Sequence, residues 1–489
     1  MPQARTPTLL DALIPIVSLI LLLALTVHLF GEDASSGPIQ IVLILGAAIA
    51  SLVAIKNGHR WRELQQAIVS GISTAMGAIL ILLAVGALIG TWLMSGTVPA
   101  LIYYGLKLLD PQLFFAATCL ICAVSSLATG SSWTVAGTLG VALIGVAMGL
   151  GLSPAVAAGA VISGAYFGDK MSPLSDTTNL ASAVVGADLF DHIRHMIWTT
   201  IPSFLLALFL VLVMGLRADV AAESAAFREL VVTLEQSFDV TPLALIPLAV
   251  VFYLAVRKVP PLPTILAGAL LGGVLAVILQ PRVVLDFVDA GDLPVALAMT
   301  KAVLLALADG YVATTGVEEV DALLTRGGMS SMLVTIWLIL AALAFGAVLE
   351  HAGMLLRLIE SSLKAAKSTG SLVMAVAASC IGTNIVAADQ YISIVLPGKM
   401  FKAEFQRRNL DARNLSRVLE DSGTMTSALV PWNTCGAYMA ATLGVATVAY
   451  LPFAFFNLLS PLITVLYGFT GFKIMKLEPG AALAETRPA

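Results

Sequence analysis

The sequence predicts an all-α, polytopic membrane protein. Hydrophobic residues make up 59% of the 489 residues and charged residues only 11%, and the mean hydropathy is +0.96. A soluble domain carries about 25% charged residues. This composition excludes an ordinary cytosolic enzyme and a nucleic-acid-binding protein. The net charge of −4 adds little, because membrane proteins segregate charge by loop.

Several apolar stretches approach the length of about 20 residues that a membrane-spanning helix needs. They are residues 10–30, 39–56, 68–94, 196–216, 242–257, 262–280, 331–350 and 450–470. Two longer apolar regions, 112–187 and 371–446, are interrupted by polar clusters. Each is predicted to hold a re-entrant hairpin followed by a broken helix. The alternative, in which each hairpin arm crosses fully, raises the number of spans without moving the chain ends.

Basic residues predict the orientation of the spans. The loop at 31–36 has no Lys or Arg, whereas the loop at 56–62 is basic, so the N-terminus is expected in the cytoplasm. Lys473 and Lys476 place the C-terminus on the same side. The predicted organisation is a first repeat of five crossings and one hairpin, an external connector, an equivalent second repeat and a cytoplasmic tail. Their boundaries are 1–216, 217–241, 242–475 and 476–489.

The two halves resemble each other weakly. Ile81 to Ala84 followed by Gly96 matches Leu338 to Ala341 followed by Gly353, and the two glycines stand 257 positions apart. The first repeat is expected to start inside and the second outside, so the repeat is predicted to be inverted. Inverted repeats place substrate sites near the membrane midplane, where broken segments from both halves meet.

The first polar cluster spans residues 168–179 and reads Gly-Asp-Lys-Met-Ser-Pro-Leu-Ser-Asp-Thr-Thr-Asn. Hydrocarbon tolerates such groups only where they face protein or water. Pro173 is expected to break the helix and free backbone carbonyls, which is how transporters build sites for small ions. The cluster therefore predicts half of a transport site.

The second polar cluster, residues 420–436, repeats the pattern of carboxylates and hydroxyls ahead of a proline, Pro431. Carboxylate, amide and hydroxyl oxygens suit a hard cation, and no soft-metal ligand set accompanies them. A buried carboxylate also favours its protonated form until a cation arrives, so Na⁺ and H⁺ compete for the same oxygens. For any single carboxylate, neutralisation by Lys170 or by a backbone end is the structural alternative.

The candidate cation- and proton-binding residues come from both halves. They are Asp169, Ser172, Asp176, Thr177 and Asn179 in the first half, and Asp389, Asp421, Asn433 and Thr434 in the second. Of these, Asp169, Asp176 and Asp389 are the candidate Na⁺ ligands. No catalytic residue and no resident cofactor are predicted, since no Ser/His/Asp set, zinc pattern or phosphate loop appears.

These motifs resemble the signatures of the NhaC family of Na⁺/H⁺ antiporters. The resemblance rests on residues 168–179, on Asp389-Gln390-Tyr391 with Leu396-Pro397-Gly398, and on the run from Leu415 to Tyr438. It implies membership of the broader ion transporter superfamily, with inverted repeats, two re-entrant hairpins, two broken helices and frequently a homodimer. It covers nearly the whole chain.

The sequence therefore predicts a secondary transporter that exchanges Na⁺, or Li⁺, for H⁺ by alternating access. The expected location is a bacterial inner membrane, with membrane lipid as the surroundings and no nucleic-acid partner. Because the family includes members that exchange Na⁺-lactate for proton-malate, coupled carboxylate exchange stays open as the alternative. A channel and an enzyme are the remaining classes, and neither has a supporting motif.

Overall fold

A computed structural model gives the fold. It describes residues 4–30, 34, 36–218, 225–289 and 291–477, and it gives no side-chain detail for 225–228 and 319. The predictions for residues 31–33 and 35 and for all but two residues of the C-terminal tail lie outside that description. Within it the chain forms helices and turns, with isolated β-bridges at Tyr311–Arg326 and Leu410–Lys476.

In the described residues, eleven helices precede the connector between the predicted halves. They are α1 (Leu9–Phe30), α2 (Pro38–Lys56), α3 (Trp61–Thr74), α4 (Met76–Met94), α5 (Thr97–Leu108), α6 (Phe114–Thr129), α7 (Ser132–Val135), α8 (Val141–Gly149), α9 (Pro154–Met171), α10 (Asp176–Val185) and α11 (Leu189–Leu216). A π-helical turn, Ala136–Gly140, joins α7 to α8.

Fifteen more helices lie in the rest of the described chain, the first of them within the predicted connector. They are α12 (Ala225–Ser237), α13 (Ile246–Val256), α14 (Pro261–Leu279), α15 (Pro281–Phe287), α16 (Val295–Ala308), α17 (Glu318–Leu324), α18 (Leu333–His351), α19 (Met354–Ala365), α20 (Thr369–Val386), α21 (Gln390–Arg407), α22 (Ala412–Leu419), α23 (Met425–Ser427), α24 (Thr434–Leu443), α25 (Thr447–Tyr450) and α26 (Phe455–Thr470). A second π-helical turn, Glu420–Thr424, joins α22 to α23.

Eight helices in the described residues are long and apolar enough to cross a membrane, and ten if each of two sharply bent pairs forms one span. The all-helical, multi-pass membrane class is thereby confirmed. The inverted relation of the two halves and the domain boundaries stay predictions.

Two predicted spans have different limits in the structure. The stretch 68–94 is not one helix, because Ala75 leaves helical geometry at φ −95° and ψ 2° and separates α3 from α4. The stretch 450–470 is divided by a 3₁₀ turn at Leu451–Phe453, and its long helix starts at Phe455. Neither interruption has an internal glycine, and Pro452 lies inside the 3₁₀ turn it helps to form.

Four composite elements contribute to the polar centre of the molecule. The segment predicted as the first hairpin comprises α6 to α8, and the segment predicted as the second comprises α20 and α21; that they are re-entrant stays a prediction. The first broken helix comprises α9 and α10, which are separated by 172–175, and the second comprises α22 to α24, which is interrupted at 428–433. Both interruptions fall beside the prolines from which a helix break was predicted.

Small residues let the first hairpin approach the first broken helix closely. Gly164 and Gly168 lie one turn apart on α9 and face α6. A Cβ atom at Gly164 would stand 2.1 Å from the carbonyl oxygen of Cys119, and one at Gly168 would stand 2.3 Å from that of Ala123. Such small-residue faces allow backbones in membranes to pack at short range. This packing brings Asp169, the next residue of α9, beside the hairpin tip.

Candidate functional site

Buried charge is concentrated in these four elements. Among the described residues, seven Asp, Glu, Lys or Arg side chains are buried, and one of them, Asp11, lies at the start of α1. The other six are Asp169, Lys170, Asp389, Arg417, Glu420 and Asp421. Intramembrane charge is expensive and is retained where it serves an ion or proton pathway.

The tip of the first hairpin binds the first broken helix through Asp169. Both the backbone N–H and the hydroxyl of Ser132 donate to Asp169 Oδ2, at 3.0 and 2.6 Å. Gly130 forms the tip at φ +69°, and a Cβ there would stand 2.9 Å from the carbonyl carbon of Leu174. The tip therefore needs glycine both for its left-handed backbone and for its contact with the helix break.

The tip of the second hairpin packs against the second broken helix in a similar way. Asp389 caps α21 by accepting from the N–H of Ile392 at 2.9 Å. The Asn433 amide donates to the carbonyl and the side-chain oxygens of Asn384, at 3.2 and 3.1 Å. The N–H of Thr434 donates to Ala388, which adopts a left-handed φ of 58°. Each hairpin tip is thus tied to the break in its own half.

Polar contacts also connect the two halves directly. Lys170 forms an ion pair with Asp421, and both side chains are fully buried. The Thr177 hydroxyl donates to Glu420 Oε1 at 3.0 Å, and the Thr199 hydroxyl donates to Asp421 Oδ1 at 3.3 Å. The first broken helix therefore faces the π-helical turn of the second. π-helical turns occur frequently at functional sites. The position of Glu420 and Asp421 in such a turn therefore supports a functional role for both residues.

Several buried carboxylate oxygens have no hydrogen-bond partner among the described residues. They are Asp169 Oδ1, Glu420 Oε2 and Asp421 Oδ2. Asp169, Asp389, Glu420 and Asp421 carry up to four negative charges, and Lys170 and Arg417 supply two positive ones. A buried charge without compensation is strongly unfavourable, so this centre requires protons or a bound cation.

The predicted site residues divide by burial. Seven are buried, namely Asp169, Ser172, Thr177, Asp389, Asp421, Asn433 and Thr434. Asp176 and Asn179 are exposed. Asn179 donates to the carbonyls of Ser175 and Pro173, at 2.6 and 3.0 Å, and so ties together the break in its own helix.

Asp176 lies at a cavity and contacts the second half. Its Oδ2 accepts from the hydroxyl of Tyr391 at 2.5 Å. The cavity has a volume of about 250 Å³, and the tip residues Thr129 and Ser131 line it together with Lys258 of the α13–α14 turn. Asp169, Asp176 and Asp389 do not form a group with oxygens all within 4.8 Å of one another in the described part of the chain. In this conformation they are not arranged to share one ion, so their role as a common ligand set stays a prediction.

Glu420 is the central residue that the sequence reasoning missed. It is fully buried, and it contacts Thr177 across the two halves. The adjacent Glu-Asp pair was a signal, but a regular helix turns neighbouring side chains by about 100° and would aim only one of them inward. Both side chains are inside because the segment is buried on every side, from Asn414 to Val430.

Comparison with known proteins identifies the family. A profile described as the Na⁺/H⁺ antiporter family matches residues 164–472, which include the break of the first broken helix, the second hairpin and the whole second broken helix. The chain belongs to the Na⁺/H⁺ antiporter family. The resemblance found in the motifs is thereby confirmed.

The relatives of this chain have names that state different transported substrates. It is 41% identical to the Na⁺/H⁺ antiporter NhaC of Alkalihalophilus pseudofirmus, over 90% of this chain and 91% of that protein. It is 39% identical to the malate-2H⁺/Na⁺-lactate antiporter of Bacillus subtilis, over 99% of both chains. It is 37% identical to the arginine/ornithine antiporter ArcD of Halobacterium salinarum, over 98% of this chain and 95% of the relative.

Proposed function

We propose that this chain exchanges Na⁺, or Li⁺, for H⁺ across a bacterial inner membrane by alternating access. Family membership supports antiport of these ions. The observation that carries the proposal is the set of buried carboxylates in the two broken helices, each with an oxygen that accepts no hydrogen bond from a described residue. Such oxygens bind either a proton or a hard cation.

Competition between the two ions is sufficient for exchange. When Asp169 and Glu420 are protonated, the centre carries less negative charge and holds Na⁺ weakly. When Na⁺ binds, it favours the charged carboxylates and releases protons. The hydroxyls of Thr177 and Ser132 already contact these carboxylates and supply further neutral oxygen ligands. If the centre becomes accessible from the other side of the membrane only when it holds either Na⁺ or protons, the Na⁺ flux and the H⁺ flux are coupled.

The remaining predicted residues take supporting roles in this proposal. Asp176 lies at the mouth of the cavity and attracts cations toward the centre. Asp389, Asn433 and Thr434 hold the second hairpin tip against the helix break, and Ser172 and Asn179 stabilise the break in the first half. Asp421 neutralises Lys170, and the pair keeps the two halves in register.

Coupled exchange of organic acids is the second function to test, because one relative carries malate and lactate by name. The buried Lys170, a natural partner for an organic carboxylate, is already paired with Asp421. This pairing favours a bare ion over an organic acid.

Transport in proteoliposomes with imposed Na⁺ and pH gradients tests the proposal. We expect Na⁺-dependent proton movement without any organic solute, and no acceleration by malate, lactate or arginine. Proton movement that occurs only when one of these solutes is present would overturn simple Na⁺/H⁺ exchange.

Neutral variants of the two central carboxylates provide the matching mutational test. We expect Asp169→Asn and Glu420→Gln each to reduce Na⁺-dependent proton flux at least about 100-fold. A side chain that transfers a proton contributes about 10²–10⁴-fold to the rate of the step it serves. The exposed Asp292→Asn serves as the control and is expected to keep wild-type flux. Wild-type activity in either central variant would remove that residue from the mechanism.

The location and assembly follow the family in this proposal. Both termini are expected in the cytoplasm, and a homodimer is the expected assembly. A fluorescent protein fused after Ala489 that matures only in the cytoplasm tests the first point. The mass of the purified protein in detergent tests the second.

A further inference from the structure

Two histidines and a glutamate come together outside the transport centre. The imidazoles of His59 and His351 and the carboxylate of Glu63 each offer a ligand atom within 4.8 Å of the other two. The histidine rings meet edge to face, with centroids 5.4 Å apart. The three residues lie at the turn between α2 and α3 and at the end of α18. We propose that they form a binding site for a divalent transition-metal ion of the Zn²⁺ or Ni²⁺ type.

The ligand chemistry selects this class of ion. Imidazole nitrogen suits Zn²⁺, Ni²⁺ and Cu²⁺, whereas Na⁺, Ca²⁺ and Mg²⁺ prefer oxygen ligands throughout. Two histidines and one carboxylate are also a ligand set that zinc enzymes use with a fourth position open to water. The site therefore differs in kind from the oxygen-only centre at Asp169 and Glu420, and it does not depend on the proposed transport function.

The backbone around each ligand is fixed by a helix end. The N–H of His59 donates to the carbonyl of Ala54 at 3.1 Å, which closes the last turn of α2. Glu63 accepts through Oε2 from the N–H of Arg60 at 3.0 Å, and this bond orients its other oxygen, Oε1. His351 is the final residue of α18, and the left-handed Gly353 follows two residues later. Ligands held on rigid elements lose little freedom when they bind an ion.

The three ligand atoms lie close enough together to bind one metal ion after a small movement of the side chains. A tetrahedral ion with ligands at about 2.0–2.2 Å spaces its ligand atoms about 3.3–3.6 Å apart. The three side chains are half-buried or exposed, so they can rotate by this amount without moving the core. Their helices are already in firm contact, since a Cβ at Gly71 of α3 would stand 2.7 Å from the Cβ of Ala347 on α18.

Sequence spacing alone could not reveal this site. His59 and Glu63 lie four positions apart, but His351 follows almost three hundred residues later and none of the three falls in a polar cluster. The ion would join the turn at the start of α3 to the end of α18. These elements come from the two predicted halves, so a bound ion would link one half to the other.

Equilibrium binding of ZnCl₂ and of NiCl₂ to the purified full-length protein, with any purification tag removed, tests the proposal. We expect one ion per chain. His59→Ala and His351→Ala are each expected to weaken binding at least about tenfold, since even the loss of an outer partner of a metal ligand costs 10–100-fold. Glu63→Gln is expected to weaken it as well. His28→Ala and Glu350→Gln, which change exposed residues of the same types outside the cluster, serve as matched controls and should bind like the wild type.

Two further measurements separate this site from adventitious binding or misfolding. Each variant should keep the wild-type unfolding temperature without metal, and metal should raise that temperature only when all three ligands are present. Ni²⁺ should also quench the fluorescence of Trp61, which starts α3 two residues after His59. Unchanged affinity in the His59→Ala, His351→Ala double variant, or no saturable binding by the wild type, would overturn the proposal.

Discussion

At the scale of single residues, the ion pair between Lys170 and Asp421 is a direct contact between the two predicted halves. Both side chains are fully buried, and Thr199 donates a further hydrogen bond to Asp421. A buried pair gains little over a well-packed apolar pair, but removal of one partner leaves an uncompensated charge. The pair therefore matters to stability mainly when one of its two partners is removed.

Single and double variants of this pair separate these contributions. Lys170→Met alone should lower the free energy of unfolding by about 3–5 kcal/mol, because Asp421 is then buried without its partner. The double variant Lys170→Met, Asp421→Asn should recover most of that loss. Chemical unfolding in detergent, followed by tryptophan fluorescence, measures both values. A double variant as unstable as the sum of the single variants would show that the two side chains do not interact.

At the scale of elements, the sequence predicted the helix breaks that have a chemical signal and missed the others. Pro173 and Pro431 mark the interruptions of the two broken helices, and both are present. The break at Ala75 has no such marker in the sequence. The π-helical turn at Glu420–Thr424 has no sequence marker either. The sequence therefore predicted a role for Asp421 but none for Glu420 beside it.

The close contact of α6 with α9 yields a test at this scale. Gly168→Val should destabilise the protein by about 1–3 kcal/mol or more, since its Cβ would overlap the Ala123 carbonyl oxygen and the helices would have to separate. Gly77→Ala in α4 is the control, because nothing lies within 4 Å of the added Cβ. It should be neutral or slightly stabilising. Thermal unfolding of both variants distinguishes them, and equal midpoints would contradict the packing argument.

At the scale of the whole molecule, the membrane class and the family followed from composition and long motifs, whereas the pairing across the halves did not. No pattern in the chain specifies that Thr177 contacts Glu420 or that Trp133 stacks on Tyr438, with ring centroids 3.9 Å apart. These contacts join residues more than two hundred positions apart. They depend on how rigid bodies fit together, which a single sequence does not encode locally.

The bond from Tyr391 to Asp176 joins the halves at the cavity mouth and gives a prediction about their relative motion. Tyr391→Phe removes a charge-assisted hydrogen bond worth about 1.5–3 kcal/mol and should depopulate the observed conformation by about 10–100-fold relative to its alternative. A cysteine at Thr129, which lines the cavity, reports this change in a background without native cysteines. Its maleimide labelling should slow in Tyr391→Phe. An unchanged rate would show that the bond does not bias the conformational equilibrium.

The distance along the chain between Lys170 and Asp421, 251 positions, has a consequence for biosynthesis. At a ribosomal rate of about 5–20 residues per second, the ammonium emerges about 10–50 seconds before its carboxylate exists. Throughout that interval the first broken helix carries an unneutralised charge beside lipid, where polar side chains are poorly tolerated. A nascent chain released before the second half is made would therefore expose this charge permanently and present a ready target to membrane proteases.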